Sequence, residues 1–162
     1  MIKAVVVIVF IFNLLACNPI QQASQKKSTQ PQVPFSCLAS QSRCEVSTDI
    51  GTFTLAFSGR VDTGKIKTEL PFQIQLIFDG VAENFQLKNV SSYLEGKSMF
   101  MGKIPVFFEI AEKSHNTTIA QTLLASCSDE VMTWRLWITV EVEQADKIMK
   151  QDFFIDFDSK RL

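Results

Sequence analysis

From Met132 to Val142 the chain sets an apolar side chain at every second position: Met132, Trp134, Leu136, Ile138, Val140 and Val142 alternate with Thr133, Arg135, Thr139 and Glu141. Successive side chains of an extended strand point to opposite faces, so this spacing puts six apolar groups on one side. A helix would spread them around its circumference. An apolar face of that length needs a second layer to cover it. The same period recurs along the chain. Phe53, Leu55 and Phe57 alternate with Thr52, Thr54 and Ser58, and Phe72, Ile74, Leu76 and Phe78 alternate with Gln73 and Gln75 up to the turn signal Asp79-Gly80. Phe85 and Leu87 follow, and then Ile104, Val106, Phe108 and Ile110, where Pro105 implies an edge position or a bulge. Met149, Phe153, Ile155 and Phe157 complete the set against Lys150, Asp152, Asp156 and Asp158. About seven or eight half-buried strands at intervals of roughly 10–20 residues, with no convincing amphipathic helix, predict an all-β single domain over 35–162. The expected architecture is an antiparallel β-sandwich of immunoglobulin-like arrangement. Only Thr117 to Ser126 is ambiguous, because Ile119, Leu123 and Leu124 also suit a short helix.

The N-terminal part is built differently. Lys3 precedes the apolar run from Ala4 to Leu15, and small Ala16 stands before Cys17, the three parts of a secretory signal over 1–16. From Ala4 to Ala16, thirteen residues of helix reach roughly 20 Å, short of the ~30 Å hydrocarbon layer, so a permanent transmembrane helix is the poorer reading. Leu14-Leu15-Ala16-Cys17 resembles the lipobox of bacterial lipoproteins. That resemblance implies a diacylglycerol thioether on Cys17, cleavage before it and acylation of the new terminus, and more than one acyl chain gives stable attachment. Asn18, where an aspartate usually signals inner-membrane retention, implies export to the outer membrane, facing the periplasm. Between Pro19 and Pro34 the composition turns to Gln, Ser, Lys and Pro. Such a segment cannot bury enough apolar area to offset its ordering entropy, so 17–34 reads as a lipidated cysteine on a flexible tether spanning roughly 20–25 Å.

Net charge is −1 with acids and bases mixed, which gives no electrostatic footprint for nucleic acid. Catalytic motifs are missing too. The single histidine, His115, sits in a polar loop with no serine elbow beside it, and Gly96-Lys97-Ser98 lacks the upstream glycine of a phosphate loop, position 91 being Ser91. Glu141 with Glu143, and Asp156 with Asp158, share strand faces, but these are the solvent faces opposite the core. The expectation is a binding module and not an enzyme.

Besides Cys17 the chain carries Cys37, Cys44 and Cys127. In an oxidising compartment Cys37 and Cys44, close in sequence, are the expected disulfide, and so short a loop contributes on the order of 2.5 kcal/mol. Pairing of Cys127 with either of them is the rival. A free Cys127 would join Met99, Met101 and Met132 as soft donors of the kind that select Cu(I). The same methionines also suit plain packing, since Met132 falls in register with Trp134.

The order Glu95-Gly96, Ser98-Met99-Phe100-Met101-Gly102, Pro105-Val106-Phe107-Phe108, Cys127 and Met132-Thr133-Trp134-Arg135 is similar to periplasmic β-sandwich domains of the YtkA-like type. The resemblance covers about Glu69 to Val142. It implies a Cu(I)-handling accessory lipoprotein of respiratory oxidase biogenesis. The other class that fits is a metal-free envelope module docking a periplasmic partner through edge strands or aromatic surface.

Overall fold

The computed structural model describes residues 35–36, 43–59, 61–62, 65–82, 84–110, 114 and 116–162, all within the unit Pro31–Leu162. The signal peptide, Cys17, the tether, Cys37 and His115 lie outside them. Eleven strands are present among the described residues: β1 Phe35–Ser36, β2 Arg43–Thr48, β3 Gly51–Gly59, β4 Val61–Asp62, β5 Lys65–Lys67, β6 Phe72–Gly80, β7 Gln86–Gly96, β8 Lys103–Ile110, β9 Thr117–Thr122, β10 Val131–Gln144 and β11 Lys147–Lys160. The ambiguous stretch is a strand from Thr117 to Thr122 and irregular from Leu123 to Ser126, and the Asp79-Gly80 turn signal lies at the end of β6 itself. No helix of the described residues is long and apolar enough to cross a membrane.

The strands form one sheet in the order β2-β3-β6-β9-β8-β7-β10-β11-β5-β4, with β1 added to β11. Pairing is antiparallel except where β1 and β5 run parallel to β11. The all-β single domain expected from the alternation is therefore present as a curled, largely antiparallel sheet. The bend falls on β8, whose residues 103–107 pair with β7 while its last three, Phe108 to Ile110, pair with β9. A sheet apolar on one face removes that face from water by curling on itself. Rings from its two arms meet accordingly: Phe53 of β3 lies 5.0 Å from Phe153 of β11, and Phe57 lies 5.0 Å from Phe157. The inner register is the predicted one along β3, β6 and β10, since Phe53, Leu55, Phe57, Phe72, Ile74, Leu76, Phe78 and every apolar residue of the β10 series are buried, whereas on the expected face of β8 only Val106 is buried and Ile110 is exposed.

The hairpin between β10 and β11 closes through Ala145 and Asp146, at φ 47° and 62°. Two consecutive positive φ values make the turn type that matches strand twist and favours Asn-Gly. Ala145 holds the left-handed conformation against its Cβ. Replacing Ala145 with Asn is expected to raise stability by about 0.5–1 kcal/mol, read as a higher urea midpoint at unchanged slope.

Candidate functional site

The sulfur residues gather at the end of β7. Gly96 pairs with Trp134 in the sheet, and a Cβ on Gly96 would collide with Met132 Cε and the Met99 carbonyl oxygen and lie 3.4 Å from Met101 Cγ. Only glycine lets the Met99 backbone and the Met132 side chain come this close. Cys127 Sγ lies 3.5 Å from Met132 Sδ and 3.9 Å from the Asp129 carbonyl oxygen. Met132 is buried, Met101 and Cys127 pack against the core as half-buried neighbours, and the Met99 side chain is exposed.

These positions give the copper expectation no ligand cluster of the usual kind. Among the described residues no three His, Cys, Asp or Glu side chains come together where they could hold a metal ion. Packing accounts for three of the four sulfur residues: Met132 belongs to the same buried register as Trp134 and Leu136, and Met101 and Cys127 close the core beside it. Cys127 is a free thiol, so no disulfide joins two described cysteines. Cys44 is buried and disulfide-bonded, and its expected partner Cys37 lies outside the described residues.

On the outer face of β7, β10 and β11, opposite the core, two rows run across the strands. One is aromatic: Tyr93 faces Trp137, which faces Phe154, with ring centroids 6.3 and 4.9 Å apart. The other is ionic: Glu95 faces Arg135, which faces Asp156. The Arg135 guanidinium donates to both Asp156 oxygens, at 2.7 and 2.9 Å, and lies 3.8 Å from the Phe154 centroid. Lys97 Nζ adds a third bond to Asp156 at 2.8 Å. Trp137 Nε1 donates to Glu95 at 2.6 Å and ties the rows together. The Asp156 side chain is only 5% exposed, so it does not sit on an open solvent face as the alternation implied. Burial pushes its pKa up, but the hydrogen bonds from Arg135 and Lys97 outweigh that and hold it below the ordinary carboxylate value. Arg135 is raised in turn by its bond to Asp156. Glu95, Lys97, Arg135, Asp156 and the Trp137 N–H all have partners, so this face rigidifies the sheet.

A third feature lies where the sheet bends. Beyond the short β8–β9 pairing the two strands separate, with Lys103 to Phe107 paired only to β7 and Gln121 and Thr122 only to β6 among the described residues. The gap is a groove of about 420 Å³ lined by Pro71, Ile104, Gln121, Thr122, Leu123 and Ala125. Phe107, 77% exposed, and Leu123, 52% exposed, stand beside it.

Neither the outer-face rows nor the groove is evident from the alternation alone. The rows did leave a trace, since Trp137 and Phe154 are aromatics at positions where the period calls for polar residues. The groove left Pro105, a proline tolerated where β8 has a neighbour on one side only.

No protein-family model matches the chain, and no curated protein matches it. Among solved structures it is similar to a DUF4785 family protein of Legionella pneumophila subsp. pneumophila str. Philadelphia 1, with a TM-score of 0.53 at 15% identity over 70% of this chain. The matched region spans 29% of that protein's length. At this identity the likeness concerns the fold alone.

Proposed function

We propose that the chain is a metal-free interaction module of the bacterial cell envelope, a lipoprotein held through acylated Cys17 at the periplasmic side of the outer membrane. The observation that carries the interaction reading is the set of large apolar side chains left in water around the bend: Phe100, 85% exposed, in the β7–β8 connection, with Phe107, Ile119 and Leu123 on or beside β8 and β9. Leaving several such groups exposed near one another is a liability that a docking partner removes. The anchor rests on the lipobox-like Leu14-Leu15-Ala16-Cys17 and the polar residues after it. The two facing arms, joined through Phe53–Phe153 and Phe57–Phe157, support an immunoglobulin-like sandwich as the finer description of the fold.

Two measurements test this. Cys17→Ser should abolish incorporation of radiolabelled palmitate, and equal labelling of both forms would remove the anchor from the proposal. A photo-crosslinking residue at Phe107 should yield a covalent adduct with a second protein in intact cells, while one at exposed Ile148 on β11 should not. Absence of an adduct at Phe107, or the same adduct at both positions, would defeat the interaction reading.

A further inference from the structure

We propose that the split between β8 and β9 receives a short, uncharged, extended segment of a partner protein as an added strand, an inference that rests on the interaction reading above. Both walls of the groove are strand backbone paired on one side only among the described residues. A polar backbone edge next to an apolar floor matches an extended peptide, whose main chain bonds to an edge while alternate side chains enter the groove. Lys103 to Phe107 at ~3.3 Å per residue gives an edge of roughly 13–17 Å, so about five residues of the occupant are held.

Charge sets its composition. Pro71, Ile104, Gln121, Thr122, Leu123 and Ala125 carry no ionisable group, and a charged side chain entering this lining would lose hydration with nothing to replace it. Pro105 has no N–H to donate, so the hydrogen bonding falls more heavily on Gln121 and Thr122. Neither wall is free to move across and close the gap. Pro105 and Val106 are paired to Tyr93 and Ser92 of β7, with Ser92 Oγ donating to the Val106 carbonyl at 2.8 Å. On the other side, β9 is paired to β6, and the Leu124 carbonyl just beyond it accepts the Glu69 amide at 2.8 Å. The slot is thus held open by the fold before any ligand arrives, which spares the ordering cost of forming it.

The experiment is selection of a random library of about ten-residue peptides on the purified full chain, a length that covers the edge with flanks. Enriched peptides should share an uncharged core of alternating apolar residues. Their affinity should fall at least about tenfold for Leu123→Lys and stay unchanged for Ile148→Lys, both at exposed positions where a lysine is compatible with folding. Bound peptide should also slow amide exchange at Gln121 and Thr122. No enrichment, or equal binding to Leu123→Lys and the parent, would overturn the proposal. Peptides that lose affinity for Phe100→Ser but not for Leu123→Lys would leave the interaction reading standing and remove the groove from it. If Leu123→Lys instead converts a dimer of this chain to monomer in sedimentation, the occupant is a second copy and the partner proposed here is wrong.

Discussion

Trp134→Ala is expected to cost about 3–5 kcal/mol of stability, measured by urea unfolding. The indole is fully buried, between Gly96 on β7 and Phe157 on β11 in the sheet register, in the part of the core where the two arms face each other. Truncation there removes contacts from both arms and leaves a cavity that a sheet paired on both sides cannot collapse to fill. The ring also carries a polar constraint. Its Nε1 donates to Ser159 Oγ at 3.0 Å, and that hydroxyl donates onward to the Met132 carbonyl at 3.3 Å. Trp134→Phe keeps most of the volume and removes one of the two hydrogen bonds of the Ser159 hydroxyl, so a smaller loss of about 1–2 kcal/mol is expected. A loss below about 0.5 kcal/mol for the alanine variant would mean that the ring is not in the core at all.

Removing the Asp156 carboxylate comes second, with an expected cost of about 2–3 kcal/mol for Asp156→Ala. Asp156 is nearly inaccessible and accepts three hydrogen bonds from two cations; without it Arg135, itself mostly covered, keeps no carboxylate directly opposite on β11. Its pH dependence follows from the direction of its shift. A carboxylate whose folded pKa lies below its unfolded value contributes stability that is fully present above the unfolded value, near 4, and is lost as pH falls through the folded one. Wild type should therefore lose stability more steeply below about pH 4 than Asp156→Asn, which has no carboxylate to protonate. Parallel acid profiles for the two proteins would show that the charge of Asp156 does not stabilise the fold.

Much of the inner layer is legible in the chain because strand periodicity is local. Trp134, Leu136 and Ile138 sit two apart, and once the segment is extended they must share a face, whichever strand lies beside them. The lipobox-like stretch is likewise a feature of linear sequence, and the expectation it carries does not depend on the fold. The outer face is not, because accessibility there depends on neighbours remote along the chain: Asp156 is covered by Arg135 and Lys97, 21 and 59 residues away. The sulfur residues show both sides of this. Their grouping is visible in the spacing, whereas the burial of Met132 and the exposure of Met99 are not, because spacing does not reveal whether a thioether is spent on the core.

By itself the sequence determined that the domain is all-β, which apolar residues of β3, β6 and β10 face inward, and that Cys127 and Met132 flank one short loop at the entry to a strand. Tertiary structure alone decided that eleven described strands join one curled sheet, that β8 changes partner at Phe107, and that a groove opens there. The physical reason is the reach of the interactions. Side-chain alternation is a property of a few consecutive residues, whereas the choice of neighbour for each strand edge minimises the free energy of the whole sheet, and β8 cannot stay beside β7 and β9 along its full length once the two arms fold over a shared aromatic core.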